Sequence, residues 1–349
     1  AAAPSPRAGA PGARAWAAVA AEAAGPTPAE AASSRRSEVE GGGGAVAAGF
    51  EGEIVKILEG SGAAPTPAEL YGADVGEVAA EALNLLAVNL DCRDLHRGSQ
   101  LLYIHALRVR RQLLGKEHPE AAATINNLAN LLRGSCLSKK PKLSLAAGRE
   151  QVETLYRCAI AIREELGAES PQVAASLSNL SVLLGQSGEK KDEEEAEKLL
   201  KRGLRIREKV YGDKHPEVAQ SWHLLGNHAQ HQEKDFPKAE ALYNRALKMR
   251  EQYYLRHSDR VAQTLNCIAQ LKNKQGDEAK AEEILIETLT IRREISTEQH
   301  YETQKTAESL LRLYKKQLKK LEAAGSTEEA EKKRRDMRRI GGDLAAWRR

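Results

Sequence analysis

The feature that most constrains this sequence is a short segment that returns. Tyr211-Gly212-Asp213-Lys214-His215-Pro216-Glu217-Val218-Ala219 has an earlier copy in Leu114-Gly115-Lys116-Glu117-His118-Pro119-Glu120-Ala121 and another in Leu166-Gly167-Ala168-Glu169-Ser170-Pro171-Gln172-Val173. Degenerate copies run from Tyr71 to Val78, Tyr254 to Val261 and Ile295 to Thr303. Gly suits the left-handed position just past a helix and Pro suits the first turn of the next. Each copy therefore closes one apolar helical pattern and opens another. Aligned on Val78, Ala121, Val173, Val218, Val261 and Thr303, the period is 43, 52, 45, 43 and 42 residues. A period in this range marks a solenoid, whose units bury their apolar faces only against their neighbours.

Stacked helices draw their core from Leu, Ile, Val and Ala, and only 4% of the 349 residues are aromatic, against 29% charged. The four cysteines, Cys92, Cys136, Cys158 and Cys267, form no CxxC pair, so neither a disulfide framework nor a zinc site follows. No apolar run approaches a membrane span. The formal charge of +4 is uneven: from Arg312 onward thirteen Lys/Arg face six Asp/Glu, a local +7 that leaves −3 for the rest. The basic character thus belongs to the C-terminal part.

The organisation expected is a low-complexity arm at 1–45, a short helix and linker at 46–76, a solenoid at 77–340 and a basic tail at 341–349. Alanine, glycine and proline dominate the arm, which buries too little surface to offset the entropy of ordering it. It reads as a linker, a transit-peptide remnant or an assembly arm. Its Arg-bearing, Met-less start points to a chloroplast or mitochondrion, with the cytoplasm as the other compartment. Phe50, Ile54, Ile57 and Leu58 lie at helical spacing over 46–59, and Thr66-Pro67-Ala68-Glu69 has a capping-box pattern.

From about residue 77 each unit reads as two antiparallel helices, A and B. In the fourth, helix A runs from Pro216 to about Gln230 and helix B from Pro237 to about Tyr253. Counting from Val218, helix A puts Trp222, Leu225, Gly226 and Ala229 on one face, and Ile125, Leu128, Ala129 and Leu132 fall at the same offsets from Ala121. Spacings of three, one and three make one stripe of an α-helix. A small residue stands mid-stripe in four successive units (Ala129, Ser181, Gly226, Ala269), where close helix approach needs it. Helix B repeats a pattern seen as Ala239, Tyr243, Ala246, Leu247, Met249 and Arg250, with Arg110, Arg163, Arg207 and Arg292 at the last position elsewhere.

With these small residues, the Tyr and Ala of helix B and a linker reading Leu/Tyr-Gly-x-x-His-Pro-x-Val, the chain resembles tetratricopeptide repeats of the 42-residue kinesin-light-chain-like subtype. "TINNLANLL", "AIAIREELG" and "RIREKVYGDKHPEVA" carry the resemblance most plainly. It covers roughly 77–340 and implies an all-α, right-handed α-solenoid of about six helix pairs, with the A helices lining a concave groove.

Departures from the period are local. The second unit carries about eleven extra residues between Gly134 and Ala147, with Lys139, Lys140 and Lys142 among them; the third has three near Glu189 and the fourth one. Insertions in a solenoid map to loops. In the last unit helix A continues to about Ala324, and a polar helix B over Thr327 to Ile340 would end the array.

Nothing points to catalysis: no Gly-rich phosphate loop, G-x-S-x-G elbow or HExxH occurs. His223, His228 and His231 lack a carboxylate or Cys to complete a metal set, so neither a metal nor a cofactor is expected. His118 and His215 precede Pro in the linkers, where they cap the next helix. The informative pattern is the other face of helix A, at offsets five, nine and twelve, shifted by one residue in the first unit. It carries amides, which offer both a donor and an acceptor to the backbone of an extended peptide. By the resemblance, Asn84, Asn126, Asn130, Asn227, Asn266, Gln270 and Asn273 are the expected partner-binding residues. The function expected is a non-catalytic scaffold or subunit of a larger assembly, holding a protein segment in the groove. One rival is an RNA-binding helical-repeat protein acting through the basic patch Lys332, Lys333, Arg334, Arg335, Arg338 and Arg339, with salt-sensitive binding. Another is an enzyme whose site lies between units.

Overall fold

The computed structural model describes residues 73–91, 96–136, 145–254, 257–295 and 301–347. The expected arm, the amphipathic segment at 46–59, the Thr66 capping box and Lys139, Lys140 and Lys142 lie outside the described residues. Twelve α-helices occur among those described, joined as six antiparallel pairs. The A helices are α1 (Ala73–Asp91), α3 (Pro119–Cys136), α5 (Pro171–Leu184), α7 (Pro216–His228), α9 (Asp259–Gln275) and α11 (Tyr301–Ala323). Their B partners are α2 (His96–Leu114), α4 (Leu145–Gly167), α6 (Lys190–Tyr211), α8 (Phe236–Tyr253), α10 (Glu278–Ile295) and α12 (Thr327–Trp347). No strand occurs among the described residues, and the architecture is an α-solenoid.

The recurring linkers do what their chemistry predicts. His118 Nδ1 accepts from the Glu120 N–H at 3.3 Å, and His215 Nδ1 from that of Glu217 at 3.2 Å. Ser170 and Ser258 cap α5 and α9 in the same way, through the N–H groups of Val173 and Val261. These bonds satisfy donors that a helix start leaves orphaned. At the other end, Gly212 adopts φ 74° and returns its N–H to the Glu208 carbonyl, a conformation that glycine adopts without strain.

Packing follows the sequence stripes. In α7, Val218, Trp222 and Leu225 are buried, and Gly226 lies so close to α8 that a methyl group there would stand 2.7 Å from the Tyr243 ring. Successive units meet layer to layer. Asn179 reaches Asn126 between A helices, while Arg157–Glu195, Arg202–Glu164 and Lys333–Glu282 pair B helices at 2.6–2.9 Å.

One junction repeats. Arg110 donates to the Thr124 hydroxyl, Arg163 to Ser176, Arg207 to Ser221, Arg250 to Thr264 and Arg292 to Thr306. Each guanidinium leaves the end of a B helix and enters the first turns of the next A helix. Three also reach back to the A helix of their own unit: Arg110 to Glu81, Arg207 to Ser178 and Arg250 to Gln220. The fork shape of guanidinium suits such three-way stapling.

The staple corrects the register of the first unit. Gln220 lies two residues beyond Val218, so the matching Glu81 sets the anchor at Ala79 and not Val78. The first period is then 42 residues. Adjacent apolar residues at 78 and 79 made the two alignments equivalent on paper.

Two helix ends also differ from expectation. Helix A of the fourth unit closes with a π-turn, Ala229–Glu233, and Lys234 follows with φ 57°. That turn takes up the one extra residue of the unit. At the C-terminus α12 continues past Ile340 to Trp347, because interior glycines such as Gly341 and Gly342 cost only about 1 kcal/mol each.

Candidate functional site: the face of the A helices

Since the A helices stand side by side, their outward stripes join into one surface. Lys274 of α9 reaches His231 beyond α7 at 3.3 Å, and Lys316 of α11 reaches the Asn273 side-chain oxygen at 3.2 Å. The expected amides take three different places on it.

Asn126 is drawn inside. It is 7% exposed, and its Oδ1 accepts from Ser176 at 3.3 Å and from Asn179 at 3.2 Å. It therefore seals the boundary between the second and third units, which corrects its expected place on the open surface. Ser176 is itself the acceptor of Arg163, so Asn126 belongs to the staple of that junction.

Asn130 and Asn227 are half-buried, each held by the tyrosine of its own helix B. Tyr156 donates to Asn130 Oδ1 at 2.6 Å. Tyr243 lies 2.7 Å from Asn227 Oδ1 and 3.0 Å from Gln230 Oε1, its one hydroxyl proton serving both. The oxygens are occupied, which leaves the amide nitrogens as the groups available to a ligand. Burial raises the pKa of both tyrosines, so they act as donors at any ordinary pH.

Asn84 and Asn266 are half-buried, Asn273 is half-buried and Gln270 is exposed. The Oδ1 atoms of Asn84 and Asn266, the Nε2 of Gln230 and the Nδ1 of His223 are buried without any hydrogen-bond partner. His223 is 2% exposed, and burial, with Arg250 and Arg260 nearby, pushes its pKa down to about 3. It is a neutral imidazole. Cys267 Sγ stands 4.0 Å from its Nε2, and burial pushes that thiol up to about 11.

The three histidines separate. His228 faces Glu233 at 3.6 Å, His231 meets Lys274, and His223 is enclosed. Among the described residues no group of three or more His, Cys, Asp or Glu side chains could hold a metal ion.

A cavity of about 410 Å³ opens on this face between the third and fourth units. Val182, Leu200 and Leu224 supply its apolar wall, and Gln186, Asn227 and His231 its polar rim. Val182 and Leu224 were not among the expected binding residues. The signal for this place was the extra residue of the fourth unit, since π-turns are frequent at functional sites.

The basic patch divides in two. Lys333 pairs with Glu282 at 2.8 Å and lies over the Tyr314 ring, and Arg334 pairs with Glu322 at 2.6 Å. Lys332, Arg335, Arg338 and Arg339 are exposed. A second cavity, of about 640 Å³, separates α10 from α12 over Leu310 and Tyr314. No helix among the described residues is long and apolar enough to cross a membrane.

Comparison with known proteins agrees with this architecture. Two tetratricopeptide-repeat family models match, one over residues 189–252 and the other over 79–120 and 261–302. The second begins at Ala79 and Val261, the anchors given by the arginine staples. None of the curated proteins compared matches. Among solved structures, BtubC (BKLC) from P. vanneervenii is similar at 21% identity and a TM-score of 0.50, covering 73% of this chain and 93% of that one. Rap Protein complexed with Competence and Sporulation Factor is similar at 12% identity and a TM-score of 0.55, covering 96% and 95%. Kinesin light chain TPR-like repeats from Podosopora anserina match at 18% identity and a TM-score of 0.46, over 61% and 94%. At such identities the likeness is one of fold.

Proposed function

On the tetratricopeptide repeats matched over residues 79–120, 189–252 and 261–302, we propose that the chain is a non-catalytic scaffold holding an extended segment of another protein across its A helices. The observation that carries this reading is the amide stripe itself, in which the half-buried Asn84 and Asn266 hold side-chain oxygens without a hydrogen-bond partner. An unpaired buried polar atom costs about 1–3 kcal/mol, and an incoming peptide backbone removes that cost where a half-buried amide turns to meet it. Gln270, Asn273 and the amide nitrogen of Asn227 extend the same stripe, and the cavity beside Leu224 accepts one apolar side chain of the bound segment. The Rap protein, complexed with Competence and Sporulation Factor, is a precedent for a similar fold holding a ligand. A place in a larger assembly, in an organelle, fits the alanine-rich, Arg-bearing arm.

The test is site-specific photo-crosslinking in cells. A photoreactive residue at Gln270 or Asn273 should capture a defined protein, and one at Arg205, exposed on α6, should not. Equal capture from both faces, or none from the A face, would overturn the proposal. Cell fractionation checks the compartment separately.

A further inference from the structure

The two ends of the array differ from its interior in opposite ways. At every internal junction the residue seven beyond the anchor is covered by the preceding helix B: Leu128, Leu180, Leu225, Ile268 and Leu310 are 0–7% exposed. In α1 the same position is Leu86, 49% exposed, with Leu85 and Val78 exposed beside it. Glu77 stands exposed on the same helix, and Glu81 is held by Arg110. The charged residues of α1 are Asp74, Glu77, Glu81 and Asp91, and it has no Lys or Arg.

At the other end, the B-helix position that packs on the following unit holds Leu204 against Val218 and Trp222, and Leu247 against Val261 and Leu265. In α12, counted from buried Ala330, that position is Arg338. It is exposed, with Arg335 one turn back, and neither has an ion-pair partner among the described residues. Both halves of the staple are missing together. Gly341 stands where the arginine would be, and Ala82 where the Ser or Thr would be.

We propose that this chain associates head to tail with a second copy, α12 of one copy lying on α1 of the next. The aliphatic stems of Arg335 and Arg338 cover Leu85 and Leu86 while their guanidinium groups meet Glu77 and its neighbours. Such an interface is heterologous and can repeat along a chain of copies. Lacking the buried staple, it is reversible and sensitive to salt. The segment at 46–59 is a poorer cover for α1, because its Glu51, Glu53 and Glu59 outnumber its one cation, Lys56, and would set like charges together. Pairing of two α1 faces meets the same repulsion.

The experiment is sedimentation velocity of the full chain over a concentration series, with nuclease present throughout. Association at about 50 mM salt that weakens roughly tenfold or more by 500 mM is expected. Two variants, R335E with R338E and D74K with E77K, should each be monomeric with an unchanged circular-dichroism melt. Mixing them should restore association, since each supplies the charge the other needs. A wild-type chain that stays monomeric would overturn the proposal. So would association indifferent to salt, association seen only without nuclease, or a mixture of variants that stays apart.

Discussion

Arg250 and Thr264 join the fourth and fifth units. The guanidinium donates to the threonine hydroxyl at 2.6 Å, and the hydroxyl in turn donates a hydrogen bond to the Arg260 carbonyl at 3.1 Å. Among the described residues no carboxylate pairs with this arginine. Burial, with Arg260 beside it, lowers its pKa to about 10, which still leaves it charged at neutral pH. Neutral dipoles from Gln220, Thr264 and a backbone carbonyl replace the water it has lost.

Removing that guanidinium should therefore weaken the array at one joint. Arg250→Ala takes the donor from the Thr264 oxygen and leaves the Gln220 oxygen only Arg260 at 3.4 Å; it should cost about 2–4 kcal/mol, whereas Thr264→Val should cost about 1–2 kcal/mol. Hydrogen exchange should show the loss in α8 and α9 before α3 or α4, because solenoid stability is nearly a sum over neighbours. Chemical denaturation of both variants checks the magnitudes.

Gly226 should tolerate no side chain. Alanine gains about 1 kcal/mol of helix propensity, yet its methyl would lie 2.7 Å from the Tyr243 ring. Gly226→Ala should be destabilising by about 1–3 kcal/mol in urea melts. Tyr243→Leu in the same chain should recover part of the loss, since the ring is what stands in the way.

His223 gives a pH dependence whose sign follows from its burial. Its folded pKa is near 3 and its unfolded value near 6.5, so above pH 6.5 both states are neutral. As pH falls below 6.5 the unfolded chain takes a proton that the folded chain refuses, and stability drops by up to about 1.4 kcal/mol per unit. Between pH 7 and pH 5 the loss from this group should be about 2 kcal/mol. His228 and His231 are shifted in the same direction, so the clean measure is the change in slope with His223→Asn.

Asn126 and Gln270 should separate stability from binding. Asn126→Ala unseats Ser176 and Asn179 and should cost about 1–3 kcal/mol of folding stability. Gln270→Ala, on the open surface, should leave the urea midpoint within about 0.5 kcal/mol and weaken capture of a groove partner.

The helix pairs, their caps and the small residue facing Tyr243 were readable in the sequence because each depends on neighbours within one or two turns. The destiny of an amide was not. Asn126 and Asn130 sit four residues apart on one stripe, yet Ser176, fifty residues later, draws in the first, and Tyr156 holds the second at the rim. The arginine ending helix B carries a charge, so by type it reads as a solvated residue. Its burial follows only once the next unit presents a hydroxyl fourteen residues on, as Thr264 does for Arg250. The first anchor slipped by one for a related reason: valine and alanine at 78 and 79 are equally plausible until Arg110 chooses Glu81.

The π-turn at Ala229–Glu233 has a consequence for the whole array. A surplus residue inside an α-helix rotates everything beyond it by about 100°. Carried on as regular α-helix, it would turn the last residues of helix A, and with them the start of the reversal at Lys234, by that angle. Widening one turn where the helix is already ending lets the angular error vanish before the chain reverses. Every later unit then keeps its phase, and growth by a single codon becomes a local accident.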